Sequence, residues 1–384
     1  MDVLPVNSDN AHIAYRHRPG LGRTIVFANS LGSDQSLWDE VIAALPGGYG
    51  IVTCDLRGHG LSTGQANGIE SLAEDVSQLI DTLALQDVLF CGVSIGGMIG
   101  QVLATKRADV VRGAIFCNTA SRIGTEQRWN DRIAAVEQSG MAGLAATIVG
   151  NWFGPAYNRH VDRLALHQAM VARTNTDGYV AACKAIRDAD LREYAASITV
   201  PVLCIGGTHD VSVPADDVRE LAASIDNAKV SIIEGLGHLP CLEIPVELAE
   251  LIETFDDSLR DAEGAGMSIR RAVLGNSHVE RASANITQLD KAFQQLITEG
   301  AWGTVWASNG ISARERSMLT LALLAATGNF DEIPMHVKAS VRTGATTRDI
   351  SEAFQHVAIY AGVPRANHAL KLAKQTLADM NPPI

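Results

Sequence analysis

Three residues in the first two-thirds of the chain have the types and the setting for acyl chemistry. Gly92-Val93-Ser94-Ile95-Gly96 follows the apolar run Val88–Cys91 and precedes a helix-like stretch, Met98–Arg107. A sharp strand-to-helix turn presents a serine at the edge of a sheet. Glycines on both sides of it, with Gly97 next, remove the Cβ atoms that would clash there. A serine is a poor nucleophile until a base takes its proton and a third group orients that base. Asp210 closes Cys204-Ile205-Gly206-Gly207-Thr208-His209-Asp210, and His238 closes Gly235-Leu236-Gly237-His238, each just past an apolar run. The order Ser, Asp, His fits a sheet whose loops bring all three to one rim. On this reading His238 accepts the Ser94 proton, and Asp210 fixes its tautomer. The oxyanion would meet the N–H of Ile95, which follows the nucleophile, and that of Leu31 in Asn29-Ser30-Leu31-Gly32. His59 and His209 read as loop residues.

The elements that must position these groups are visible as short Val/Ile/Cys/Phe-rich runs: Thr24–Ala28, Gly50–Cys54, Val88–Val93, Gly113–Cys117, Pro201–Gly206 and Lys229–Ile233. Runs without polar alternation predict strands buried on both faces of a parallel sheet. Ser71–Leu85, between two of them, spaces Leu72, Val76, Leu79, Ile80 and Leu83 as one face of a helix. Strand and helix alternate, so the fold class expected for residues 1–256 is a doubly wound, mostly parallel α/β sheet. Residues of about 122–196 break the alternation and read as a helical cap inserted over one edge.

After Phe255 the texture changes. Residues 257–266 are polar, contain glycine and lack periodic apolar positions, so they read as a linker. From Met267 to Ile384 nearly everything predicts helix, a small all-α domain. Ser312-x-x-Glu315 fits a capping box, Thr346-Thr347-Arg348-Asp349 opens another helix, and Pro364 suits a first helical turn. All six cysteines precede residue 250 and none forms a C-x-x-C pair, which predicts buried thiols in a reducing compartment. The start of the chain carries no basic and apolar leader, and its most apolar run, Leu319–Ala326, is too short to span a bilayer. A cytoplasmic protein without a membrane partner is expected. A net charge of −12 over 384 residues argues against nucleic acid as a partner. It also means that an anionic substrate must be held by locally placed arginines.

The helical domain has no cysteine and few reactive groups; Arg314-Glu315-Arg316 and Glu332-Ile333-Pro334-Met335-His336 stand out. A lone histidine near a helix start also has a purely structural reading.

Residues 1–256 resemble the α/β-hydrolase family and, within it, 3-oxoadipate enol-lactonases. The similarity lies in Asn29–Gly32, Asp55-Leu56-Arg57-Gly58-His59-Gly60, Gly92–Gln101 and Cys117-Asn118-Thr119-Ala120. Arg122-Ile123-Gly124, Trp129 and Ala182–Arg187 carry it through the cap. Residues 267–384 resemble 4-carboxymuconolactone decarboxylases in Arg270–Gly275, Ala301-Trp302-Gly303, Arg314–Ser317, His336–Ala339 and Tyr360–Pro364. Relatives that reduce peroxides carry a C-x-x-C pair before the histidine. Here Glu332 and Met335 or its neighbours stand there, which excludes thiol redox chemistry.

The resemblance implies a bifunctional enzyme without cofactor or metal. It would decarboxylate 4-carboxymuconolactone to the enol-lactone and hydrolyse that to 3-oxoadipate. Under it, Arg122, Trp129 and Arg132 are candidates to hold the lactone's free carboxylate. His336 would supply a proton, Glu315 would orient it, and Arg314, Arg316 and Arg342 would anchor carboxylates. The resemblance also implies a homo-oligomer formed through the helical domain, with anionic lactones as ligands. Two rivals use the same residues. One is a general esterase or cofactor-free haloperoxidase-like hydrolase. The other is a helical domain that only gathers hydrolases into an oligomer.

Overall fold

The apolar runs become the core of one eight-stranded sheet. In the computed structural model, which describes residues 1–6, 11–20, 22–259 and 262–380, β3 (Thr24–Ala28), β4 (Gly50–Cys54), β5 (Val88–Val93), β6 (Val111–Cys117), β7 (Val202–Gly207) and β8 (Ala228–Ile233) pair in parallel. Every residue of β4, β5 and β7 is buried, as expected for strands covered by helices on both faces. Two strands were not anticipated: β1 (Asp2–Pro5) and β2 (His12–Arg18) add antiparallel to the β4 edge, giving the order β1-β2-β4-β3-β5-β6-β7-β8. His12-Ile13-Ala14-Tyr15-Arg16-His17-Arg18 is half exposed, so it lacks the continuous apolar signature of the inner strands.

Helices α1 (Asp39–Ala44), α2 (Ile69–Thr82) and α3 (Ile95–Lys106) follow β3, β4 and β5. Between β6 and β7 lie α4 (Glu126–Gly150), α5 (Val161–Ala172), α6 (Thr176–Asp188) and α7 (Arg192–Ala196), which form the helical insertion. Among the described residues α4 is long and apolar enough to cross a membrane by composition. It is broken at Gly140 (φ 67°) and packs against α5 and α6. Helices α8 (Ala215–Ala223), α9 (Pro240–Glu243) and α10 (Pro245–Ser258) complete this unit, which ends at Leu259.

The second unit is helical throughout. It contains α11 (Ala262–Leu274), α12 (Asn276–Ala284), α13 (Lys291–Ile297), a nine-residue π-helix Thr298–Trp306, α14 (Ala313–Thr327), α15 (Ile333–Thr343), α16 (Thr347–Tyr360) and α17 (Val363–Met380). Ser312 and Thr346 each close a capping box, with Glu315 and Asp349 respectively. Gly328 and Gly344 end their helices in the left-handed conformation, at φ 86° and 79°. One core centres on Leu321, Val337, Ile350 and Phe354, and a second on Val273, Val279, Trp302 and Ala339.

Within 257–266, read as a linker, α10 runs to Ser258 and α11 begins at Ala262, while residues 260–261 lie outside the described residues. The glycines hid the helix. Gly266 is required by packing, since a Cβ there would lie 2.1 Å from the Thr298 carbonyl oxygen and 2.8 Å from Gly303 N. Helix propensity alone favours Gly266→Ala by ~1 kcal/mol, so packing and propensity predict opposite signs. The expected outcome is a fall of several degrees in the thermal midpoint of the helical unit. A rise in the midpoint, read by circular dichroism, would show that the close approach is dispensable.

Candidate functional site

The first site is assembled at the carboxyl ends of β3, β5, β7 and β8. Ser94 joins β5 to α3 with φ 58° and ψ −119°, a left-handed backbone that costs ~1–3 kcal/mol in a residue with a side chain. The turn closes because its neighbours have no Cβ. On Gly92 a Cβ would lie 2.3 Å from Gly96 O, and on Gly96 it would lie 2.3 Å from Ala28 O. Ser94 N donates to Cys117 O at 2.9 Å, and Ser94 O accepts from Thr119 Oγ1 at 2.8 Å and from Gly97 N at 2.9 Å. The strained peptide is thus fixed from both sides.

His238 Nδ1 lies 2.7 Å from Asp210 Oδ2. Donation from Nδ1–H to the carboxylate leaves Nε2 as the free acceptor for a hydroxyl proton. Both side chains are buried. Asn118 Nδ2 donates to Asp210 Oδ2 at 2.8 Å, and the N–H groups of Ser212 and Val213 donate to Oδ1 at 2.7 and 3.1 Å. Burial alone would raise the Asp210 carboxyl. The His238 charge and these hydrogen bonds outweigh it, so Asp210 is held below the usual carboxylate range. Asn118 also donates to Gly237 O at 2.9 Å, which ties the Asp210 and His238 loops together. It has φ 46°. An asparagine that directly follows a buried strand is the available sequence signal, since it tolerates that backbone and carries two donors.

Ser94 and His238 open on one cavity of about 520 Å³, counted out to its mouth. Leu31 borders it. Ser33 N donates to Ser30 O at 3.2 Å across a turn with Gly32 at φ 79°, and that bond does not use the Leu31 N–H. Ile95 is the first residue of α3, where an N–H has no acceptor within the helix.

The cap wall differs from expectation. Trp129 and Arg132 border the cavity, but Arg122 does not: it is exposed, among residues such as Arg192 and Glu220. It precedes α4 and so is off the helix face that carries the other two. Arg128, four residues before Arg132 and one turn away on that face, takes its place. Its Nη1 donates to Ser212 O at 3.1 Å, beside the Asp210 loop. Loss of hydration and the like charge of Arg132 both lower its hold on its proton. Trp129 is oriented by an Nε1–H bond of 2.6 Å to Ile123 O.

In the helical unit, the expected set separates. His336 is half-buried on α15; burial, and then the charge of His278, push its imidazole down to about 4, so it is neutral at pH 7. Glu315 is not presented to His336 as an orienting partner: it is exposed, and its Oε2 accepts from Ser312 N at 2.7 Å and Ser312 Oγ at 2.6 Å. The capping box that the sequence displays is what occupies it. Arg314 is likewise spent, because its Nε donates to Asp349 Oδ2 at 2.8 Å in a two-point ion pair. Arg316 is half-buried and donates to Ser308 O at 2.7 Å. Arg342 is exposed and covers Gly275, the residue that caps the start of α12. Arg270 is a buried guanidinium that donates to two neutral acceptors, Thr298 Oγ1 at 3.3 Å and Gln294 Oε1 at 3.2 Å.

A family model described as alpha/beta hydrolase fold matches residues 23–245, and that of the carboxymuconolactone decarboxylase family matches residues 291–375. The chain is 35% identical to 3-oxoadipate enol-lactonase 1 of Acinetobacter baylyi over 238 residues, 62% of this chain and 89% of the relative. It is 36% identical to 4-carboxymuconolactone decarboxylase of the same organism over 115 residues, 30% of this chain and 86% of the relative. Nitrosuccinic acid decarboxylase npaB of Metarhizium robertsii is 37% identical over 127 residues, 33% of this chain and 89% of the relative.

The corrected cap wall makes a direct prediction for an acyl substrate that carries a carboxylate. Arg128→Ala and Arg132→Ala should each raise KM by about tenfold or more, the loss of one charge-assisted contact of ~1.5–3 kcal/mol. Arg122→Ala should leave KM within twofold. Steady-state kinetics of the three variants would reverse the assignment if Arg122 carried the effect.

Proposed function

Because the chain belongs to the alpha/beta hydrolase family in its first unit and to the carboxymuconolactone decarboxylase family in its second, we propose that it catalyses two consecutive steps. Residues 267–384 decarboxylate 4-carboxymuconolactone to 3-oxoadipate enol-lactone, and residues 1–256 hydrolyse that lactone to 3-oxoadipate. One observation carries the pairing. One unit's relative is named for decarboxylating 4-carboxymuconolactone and the other's for an enol-lactone, and loss of CO₂ from the first lactone gives the second. The nitrosuccinic acid decarboxylase relative supports carboxy-lyase chemistry in the second unit with another substrate, but that product would not feed an enol-lactonase.

In the hydrolytic half, Ser94 Oγ attacks the lactone carbonyl as His238 Nε2 takes its proton, with Asp210 stabilising the imidazolium. The tetrahedral oxyanion is received by the N–H groups of Leu31 and Ile95. Collapse breaks the ring C–O bond, and His238 returns its proton to the enol oxygen. The freed enol tautomerises to the ketone, which makes ring opening hard to reverse. Water, deprotonated by His238, then releases the acyl chain from Ser94. Arg128 and Arg132 hold the carboxylate at the far end.

In the decarboxylating half, loss of CO₂ drives electrons through the ring double bond into the lactone carbonyl, and a proton must be returned to carbon. His336 is the candidate donor. An imidazole pushed down to about 4 is unprotonated when the site is empty. Two substrate carboxylates beside it favour its charged form, so the substrate itself recruits the proton that it needs. Buried free cysteines at six positions suit a reducing compartment.

We also infer that the helical unit self-associates. Leu289, Phe293 and Leu296, close together in sequence at and before α13, are 95%, 59% and 64% exposed, large apolar groups that a monomer would leave in water. Phe293→Glu should shift sedimentation towards the monomer; a monomeric native protein would remove the inference.

The function is tested by supplying 4-carboxymuconolactone to full-length variants. Ser94→Ala should release CO₂ and accumulate enol-lactone, with hydrolysis reduced by a factor of 10³ or more. His336→Ala should lose CO₂ release and retain hydrolysis of added enol-lactone. Native protein that releases no CO₂ would instead favour a helical domain that only assembles hydrolases.

A further inference from the structure

The loop carrying His238 meets the cap backbone to backbone. A Cβ on Gly237 would lie 2.4 Å from Gly154 N, and one on Gly154 would lie 2.1 Å from Gly235 O, so side chains are excluded from both faces of the contact. His238 N donates to Trp152 O at 2.6 Å, and the Trp152 side chain borders the Ser94 cavity. Glu243, the last residue of α9, completes the junction. Its Oε1 accepts from Gly237 N and its Oε2 from Gly154 N, each at 2.9 Å.

We propose that Glu243 is a positioning residue of the hydrolase, whose carboxylate bridges the cap segment 152–154 and the His238 loop and so holds the imidazole in register with Ser94. This rests on the Ser94–His238–Asp210 reading above. The hydrogen-bond inventory supports a bridge over a simple filler. Both oxygens are engaged by backbone N–H groups, one on each segment, and only an ionised carboxylate offers two acceptors without an O–H facing a donor. Without the bridge, two N–H groups would face each other's segments unpaired, next to the catalytic imidazole.

The position also carries a cost that packing alone would not maintain. Burial pushes the Glu243 carboxyl up to about 7; the two N–H groups and the His238 charge oppose the rise, and Asp210 adds to it. Tyr157 and Cys241 also feel its charge. For an acid raised from 4.5 to about 7 on folding, the native state holds the proton more tightly than the unfolded chain. Stability therefore falls as pH rises through that window and is lowest above it, where the carboxylate is ionised and the bridge complete. A carboxyl placed where its ionised form costs stability fits a role in function.

The test uses full-length Glu243→Gln and Glu243→Asp, assayed on enol-lactone and on p-nitrophenyl acetate, with Ser94→Ala as control. Gln can accept only one of the two N–H bonds, and Asp is too short to span both segments. Each variant should lose kcat by about tenfold or more with KM within twofold. At pH 8 Glu243→Gln should melt no lower than wild type, and the wild-type decline in Tm relative to that variant should fall between pH 4.5 and 7. A wild-type kcat in either variant overturns the proposal. So does a loss of kcat in Glu243→Gln that is matched by a lower Tm at pH 8, or an effect confined to KM. Undiminished hydrolysis by Ser94→Ala would instead locate the failure in the triad reading.

Discussion

The hydrolytic site depends on one backbone conformation, the left-handed peptide at Ser94. A residue with a side chain there is unfavourable by ~1–3 kcal/mol, so the surroundings must impose it. The central, fully buried β5 fixes the approach, and the Ala28 carbonyl touches the space that a Gly96 side chain would need. Thr119 and Cys117, at the end of β6, hold the two polar groups of the peptide. The adjoining residue, Asn118, is itself left-handed and serves Asp210 and Gly237. The end of one strand thus supports the nucleophile on one side and the acid–base pair on the other. That arrangement explains why the network tolerates a strained residue at its centre: several bonds of ~1 kcal/mol each act against a single local penalty.

How much of this was legible in the sequence follows from the range of the interactions involved. The inner strands and the order Ser94, Asp210, His238 were readable, because continuous apolar runs and turn glycines are local signals. The antiparallel pair at the sheet edge was not, since β2 is half exposed and mixes Arg and His with its apolar residues. The cap residues show the same limit at finer scale. Arg122 and Arg132 look equivalent in a list of cations, but only helical phase places Arg128 and Arg132 together and leaves Arg122 outside. Gly237 and Glu243 are six residues apart, but Gly154 is 89 residues from Glu243, and no single-sequence pattern joins it to them. Glu315 illustrates the converse. The capping-box spacing that the sequence displays implies that the carboxylate is occupied by Ser312.

A chain with a net charge of −12 that acts on carboxylates must have arginines whose charge is not already matched. The structure separates them by physical state. Hydrogen bonds to Asp349 stabilise the charge on Arg314 and raise its hold on its proton; its electrostatic capacity is satisfied internally. Burial does the reverse at Arg270, Arg316 and Arg128, where lost hydration destabilises the cation. Arg316 has Glu315 nearby as partial compensation, while among the described residues Arg270 donates to the neutral acceptors Thr298 and Gln294. A desolvated cation gains more from an incoming carboxylate than an exposed or paired one does, because the anion replaces hydration already given up. Arg128 lies on the wall of the Ser94 cavity beside Arg132 and Arg122 does not, so Arg128 is better placed to meet an anion there. Such local matching leaves the acidic surface unchanged and confines the attraction for anions to the places where chemistry occurs.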